Sequence, residues 1–144
     1  RRPPAGRCNE PARERGHAMM HRQVDPAGST SAPAVVTARL DALARQAPGA
    51  DAVAYLDTAA GTVLGTSSEA GQSQETLDAL CALAARVIGP QGHGATLLAT
   101  RLETVVLAPA VPGRGDALAF FFDPECPPEA ARGAAAAALA HWPG

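Results

Sequence analysis

Short turns between apolar segments limit the ways in which this chain can fold. Five segments have the length and composition of strands, namely residues 51–57, 62–66, 95–100, 104–111 and 116–123. Turns of only three or four residues separate sequence neighbours at residues 58–61, 101–103 and 112–115. Such turns join antiparallel strands, because a parallel connection needs a dozen residues or more. The sequence therefore predicts an antiparallel sheet, and Gly61 supplies the positive φ that the first hairpin turn needs.

Helical periodicity appears before, between and after these strands. Ser73 is a suitable N-cap for the second helix, and Pro128 opens a third helix that is rich in alanine. The three helical segments are residues 33–47, 73–88 and 128–142. The element order is therefore α-β-β-α-β-β-β-α. This order predicts an α+β fold in which helices pack against a five-stranded antiparallel sheet.

The basic residues of the chain exclude several classes of enzyme. The chain holds twelve arginines and no lysine, so it cannot form a Walker-type phosphate loop, a pyridoxal Schiff base or a protein-kinase site. It also lacks the G-x-S-x-G and H-E-x-x-H motifs. No apolar run approaches the ~20 residues of a membrane span. We therefore expect no enzymatic activity, no catalytic residues, no cofactor, no metal ion and no membrane partner.

Charge divides the chain into two regions. Residues 1–22 contain six arginines against Glu10 and Glu14, a net charge of +4, whereas the remaining 122 residues contain six arginines against twelve acids, a net charge of −6. The basic region has no aromatic residue for stacking on bases, so we expect no nucleic-acid partner. We predict a disordered Arg/Pro-rich extension over residues 1–30 and a folded domain over residues 31–144. The three cysteines are scattered, which favours a reducing cytoplasm over a disulfide framework.

Candidate binding motifs are weak. His17 and His21 have the spacing of a helical metal pair, but no third ligand accompanies them. The glycine-rich residues 89–94 lead into a strand and not a helix, so we interpret them as a loop without phosphate-binding function. Asp57 and Asp123 follow strands and are expected to accept hydrogen bonds from turn backbone.

The second helix is more informative, because its apolar arc is unusually wide. On a helical wheel the arc from Leu83 to Cys81 spans roughly 160°, whereas a helix resting on one sheet needs a little over ~100°. Leu83 and Val87 would therefore be half exposed in a monomer. Two interpretations remain open: a loop or the alanine-rich helix covers this edge, or the edge binds another protein.

The pattern as a whole resembles a Roadblock domain, the dynein light-chain family that has many bacterial members. The resemblance covers about residues 33–142. It rests on the hairpin over residues 53–67, the helix over residues 76–88, the strand over residues 104–107 and the segment 119–123 that leads into the last helix. It implies the Roadblock/profilin-like fold, with two helices on one face of the five-stranded sheet and the third helix on the other.

The resemblance also implies a function. Family members are mostly non-enzymatic dimers that align their second helices and third strands, and they hold or regulate small Ras-like GTPases or tether signalling complexes. Some bacterial members stimulate a gliding-type GTPase. For this chain the implied partner is a second copy or a sister Roadblock subunit. The implied dimer interface comprises Leu80, Leu83, Val87, Leu97 and Ala99. A small-ligand sensory domain of a bacterial signalling system is the alternative, and it requires a cavity with convergent polar groups.

Overall fold

The computed structural model describes residues 31–88 and 94–143. These residues form three helices, α1 (Ala32–Gln46), α2 (Gln74–Val87) and α3 (Pro128–Leu139), and five strands, β1 (Ala50–Asp57), β2 (Thr62–Thr66), β3 (Thr96–Ala99), β4 (Thr104–Val111) and β5 (Asp116–Phe122). The strands form one sheet in the order β2-β1-β5-β4-β3, and every neighbouring pair is antiparallel. The predicted element order and sheet are confirmed. The predicted extension over residues 1–30, the His17–His21 pair and residues 89–93 of the glycine-rich loop lie outside the described residues.

Helices cover both faces of the sheet, and the two faces differ in residue size. Beneath α1 and α3 the strands present large side chains such as Phe120 and Phe122, and α3 meets them with buried alanines. Beneath α2 the strands present four alanines together with larger side chains such as Phe121, and α2 contributes large ones such as Leu77. Alanines on one layer leave room for large side chains on the other, which gives two dense cores.

Close packing at Gly65 fixes α1 against β2. A Cβ atom at Gly65 would lie 2.6 Å from Cγ1 of Val36, so the helix approaches the strand over the missing side chain. Further along α1, the carboxylate of Asp41 accepts hydrogen bonds from the backbone N–H of Ser68 at 2.7 Å and from its hydroxyl at 2.7 Å. These bonds lower the pKa of Asp41. The loop that leaves β2 is thereby held to α1.

Several element ends differ slightly from the predicted ones, because side chains start the turns earlier. Strand β3 was expected to include Thr100, but the Thr100 hydroxyl accepts hydrogen bonds from the N–H groups of Leu102 and Glu103 and begins the turn to β4. Strand β5 ends before Asp123, whose carboxylate accepts from the N–H of Glu125. The third helix ends at Leu139 and does not reach Trp142, which packs edge-on against Tyr55 instead.

Candidate protein interaction surface

Helix α2 is anchored at its start and buried along one side. The Ser73 hydroxyl accepts from the N–H of Thr76 at 3.2 Å, as expected for an N-cap. Leu77, Cys81 and Ala84 face the sheet and are buried. Burial raises the pKa of the Cys81 thiol, so this cysteine is a core residue and not a reactive one.

Beside this buried side runs a second row of α2 residues, which we call the α2 stripe. Thr76, Leu80, Leu83 and Val87 follow one another at i, i+4, i+7 and i+11, so they share one flank of the helix. Thr76 is half-buried, and from Leu80 onward exposure increases along the row: Leu80 is 9% exposed, Leu83 is half-buried, and Val87 is 42% exposed. The stripe carries no charged residue. It is therefore an apolar strip only partly covered by its own domain.

The start of the α2 stripe lies near the β3–β4 turn, and the stripe shares a face of the sheet with Leu98 of β3. Thr76 lines a cavity together with Leu102 and Glu103 of the β3–β4 turn. Leu83 and Leu98 of β3 pack against the same core cluster. The alanine-rich helix α3 lies on the opposite face of the sheet, so it does not cover Leu83 and Val87. The sequence left open coverage by a loop or by that helix, and coverage by that helix is therefore wrong, whereas coverage by a loop stays a prediction.

Strand β3 forms one edge of the sheet. It pairs only with β4, so within the described residues one row of its backbone N–H and C=O groups has no partner strand. Leu97 packs toward α1 and α3, and Ala99 shares that face because side chains alternate along a strand. Leu98 lies on the α2 face instead.

The structure thus brings Leu80, Leu83 and Val87 together, while Leu97 and Ala99 lie on the same edge strand but on its other face. Leu98 was missed. Its register partner is Val105, and both residues pack in the α2 core. The sequence holds no signal for this assignment, because β4 is apolar along its length and buried on both faces.

Other candidate residues have local structural roles. The carboxylate of Asp57 accepts from the N–H groups of Ala59 and Ala60 in the first hairpin turn, and Gly61 has a φ of 71°, both as predicted. In the part of the chain that the structure describes, no group of three His, Cys, Asp or Glu residues is placed to hold a metal ion. No described helix has the length and apolar character that crossing a membrane requires.

Two open clefts lie at the end of the sheet where β1 begins and β5 ends. The first, of about 470 Å³, lies beside α1 and is lined by residues that include Asp41, Arg45 and Glu69. The second, of about 420 Å³, lies at the start of α2. Both are surface clefts lined largely by polar residues, and Asp51 contributes to each.

The fold was compared with known proteins. No protein-family model matches the sequence, and a search of curated proteins gives no match. Among solved structures, the chain is similar to a Roadblock/LC7 domain from Streptomyces avermitilis, with a TM-score of 0.52 and 16% identity over 72% of this chain and 91% of the other. It is also similar to the gliding protein MglB from Thermus thermophilus, with a TM-score of 0.54 and 20% identity over 77% and 88% of the two chains.

A further MglB structure, described as having a tetrameric arrangement, matches with a TM-score of 0.55 and 20% identity over 77% of this chain and 88% of the other. The three similar structures share the arrangement built above from the residues. At these identities the likeness concerns the fold. The chain therefore has the Roadblock/LC7 fold that the sequence pattern predicted.

Proposed function

We propose that this protein is a non-catalytic dimeric scaffold or regulator that binds a small Ras-like GTPase or a related signalling partner. The observation that carries this proposal is the partly exposed α2 stripe, together with the unpaired edge of β3. In one copy of the chain the α2 stripe is partly exposed to solvent and the β3 edge has no partner strand. Another protein surface can bury the stripe and pair with the edge. The interface would comprise Leu80, Leu83, Val87, Leu97 and Ala99, with Leu98 added from the structure.

Apolar burial gives this interface its stability. Burying a whole leucine or valine side chain contributes about 1.5–3 kcal/mol. Leu83 is half-buried and Val87 is exposed in one copy, so part of this free energy becomes available only when a partner covers them. In a twofold dimer each contact occurs twice. Pairing of two β3 edges would add backbone hydrogen bonds and specify the register. A second copy is the proposed partner, and a sister Roadblock subunit could complete the same surface.

The GTPase partner is proposed from the family resemblance. The Thermus thermophilus structure with the same fold is described as a gliding protein, in keeping with the gliding-type GTPase partners that the resemblance implies. We place the protein in the cytoplasm, because Cys81 and Cys126 are both free thiols. We propose no nucleic-acid or membrane partner.

Dimerisation can be tested with Leu83→Asp. This change places a carboxylate in the α2 stripe, and in a twofold dimer its counterpart would lie nearby, so desolvation and like-charge repulsion act together. Light scattering should give twice the chain mass of 14.6 kDa for the wild type and the single chain mass for Leu83→Asp. Ala82→Asp is the matched control, since Ala82 is exposed and lies outside the stripe. Circular dichroism should show all three proteins folded.

A wild type that stays monomeric at tens of micromolar would contradict the homodimer. It would leave a heterodimer with a sister subunit, or the small-ligand sensor, as the remaining functions. A dimer unaffected by Leu83→Asp would place the interface elsewhere.

The regulatory role has its own test. The protein alone should turn over GTP and ATP no faster than buffer, because it contains no lysine for a phosphate loop. Added to the small Ras-like GTPase encoded nearest to its gene, the wild type should change the rate of GTP hydrolysis, and Leu83→Asp should do so less. Nucleotide turnover that persists in highly purified protein would instead indicate an enzyme.

A further inference from the structure

The tip of the β3–β4 turn carries the most exposed large apolar side chain among the described residues, Leu102, which is 84% exposed. Hydrogen bonds fix the turn that holds it. The Thr100 hydroxyl accepts from the N–H groups of Leu102 and Glu103 at 3.1 and 3.0 Å, and the Thr100 N–H donates to the Glu103 carbonyl at 2.9 Å. Leu102 therefore projects from a defined position, directly after the unpaired edge strand β3.

A single exposed leucine is ordinary on a protein surface, but this one lies at one end of the α2 stripe. Leu102 and Thr76, the first residue of the stripe, line the same cleft. Val87 follows Thr76 eleven positions further along the helix, which is about 16 Å at the helical rise. Val87 is itself 42% exposed. Each copy of the chain thus has an exposed leucine beside the start of its stripe and an exposed valine at the far end.

The proposed twofold dimer brings these two ends together. Two β3 edges that pair about a twofold axis run antiparallel, so the end of one strand lies opposite the start of the other. The β3–β4 turn of one copy is then at the opposite end of the interface from the turn of its partner. Since α2 begins beside the turn of its own copy, the turn of the partner faces the end of α2.

We propose that Leu102 of each copy packs on the partner's Val87, so that the β3–β4 turn of one chain covers the exposed end of the other chain's α2 stripe. This inference rests on the proposed function, because it requires the stripe and the β3 edge to belong to one interface. It adds a segment that neither of them contains. The contact is reciprocal and occurs twice in the dimer.

The contact also accounts for two of the four large apolar side chains that are exposed among the described residues. The other two are Val35 and Leu64, which belong to α1 and to strand β2 at the opposite edge of the sheet. Leu102 cannot cover Val87 of its own chain, because the length of the stripe separates them. A second copy is therefore the occupant that matches both exposed residues with one symmetry operation.

A cross-linking experiment on the full chain tests this contact directly. Val87→Cys and Leu102→Cys are combined in one chain. Cys8 and Cys126 are replaced by serine in all cross-linking variants, while the buried Cys81 is kept. A short bismaleimide should give a covalent dimer of twice the 14.6 kDa chain mass on a denaturing gel. The two new cysteines of one chain lie at opposite ends of the stripe, so a link within the chain does not compete.

The matched control combines Val87→Cys with Leu64→Cys, because Leu64 is 44% exposed at the β2 edge. This pair should give no more covalent dimer than either single variant. Dimer affinity is a second readout. Leu102→Ser should raise the dissociation constant of the dimer about tenfold, since each dimer loses two leucine contacts, whereas Leu64→Ser should leave it unchanged. Sedimentation equilibrium measures both values, and each of these three positions is exposed, so the substitutions should leave the fold intact.

The results separate this contact from the dimer itself. A dimeric wild type would overturn this inference alone if positions 87 and 102 give no cross-link, or if Leu102→Ser leaves the affinity unchanged. Leu102→Cys could also cross-link by itself as well as the double variant does. That result would place the two turns against each other and would equally overturn the contact. A wild type that stays monomeric would overturn both the contact and the proposed homodimer.

Discussion

At the scale of single residues, Tyr55 has the most strongly altered chemistry. It is the only tyrosine of the chain, and its hydroxyl donates to Oδ2 of Asp116 at 2.8 Å. Its ring packs edge-on against Trp142 with the ring centroids 5.3 Å apart. Burial, together with the bond to the Asp116 carboxylate, raises the pKa of Tyr55 to about 12.

This pKa predicts how stability depends on pH. The unfolded chain loses its phenol proton near pH 10, while the folded chain keeps it until about pH 12. The contribution of Tyr55 to stability is therefore complete below pH 10 and is lost as the pH rises toward 12. The phenolate absorbance should titrate near 12 in the folded protein and near 10 in denaturant. Tyr55→Phe should abolish this part of the pH dependence, and a folded-state midpoint near that of the denatured chain would contradict the prediction.

At the scale of elements, two glycines predict opposite responses to the same substitution. Gly65 of β2 lies under Val36 of α1, and a Cβ atom there would meet Cγ1 of that valine at 2.6 Å. Valine has little rotamer freedom in a helix, so α1 would have to move. Gly133 lies inside α3, and a Cβ atom there would meet nothing within 4 Å.

Urea unfolding of the two alanine variants checks this contrast. Gly65→Ala should lower the free energy of unfolding by about 1–3 kcal/mol through overpacking. Gly133→Ala should raise it by about 0.5–1 kcal/mol, because alanine restricts the unfolded chain and favours helix. Equal effects of the two substitutions would show that the contact between α1 and β2 is looser than described.

The element order was predictable from the sequence because turn lengths and periodicity are local properties. The Ser73 cap was predictable for the same reason. So was the wide apolar arc of α2, one flank of which forms the α2 stripe. The face of each β3 residue was not predictable from β3 itself. The four residues of β3, Thr96–Ala99, include two adjacent leucines, so no polar alternation marks one side of the strand. Only pairing with β4 assigns Leu97 and Leu98 to different cores.

The cleft at the start of α2 was even less accessible to sequence reasoning. Asp51, Gln72, Glu103 and Asp123 belong to four segments that meet only in the folded sheet. In the sequence each of them is a polar residue next to a turn, and such residues are common. Their convergence depends on the strand order, which places the starts of β1 and β4 and the end of β5 at one end of the sheet.

At the scale of the whole molecule, the two edges of the sheet differ. The β2 edge is interrupted by a bulge, since Tyr55 pairs with Gly65 and Leu56 with Val63 and Leu64 is left between them. Bulges discourage the addition of another strand. The β3 edge pairs regularly with β4. This asymmetry favours association through β3 alone, which would produce a closed pair and not a growing filament.

The predicted division between residues 1–30 and the folded domain gives the last prediction. Within the described residues, both hydrophobic cores are assembled from residues between Val36 and Trp142, and α1 begins at Ala32. Residues 1–30 are rich in arginine and proline and have few apolar side chains, so they offer little to a core. Deleting residues 1–30 should therefore change the melting temperature by no more than about one or two degrees. Deleting residues 1–40 is the contrasting control, because it removes Val36 and the fully buried Leu40 and should unfold the domain or lower its melting temperature sharply. A large drop on the shorter deletion would mean that residues 1–30 contribute to the stability of the domain.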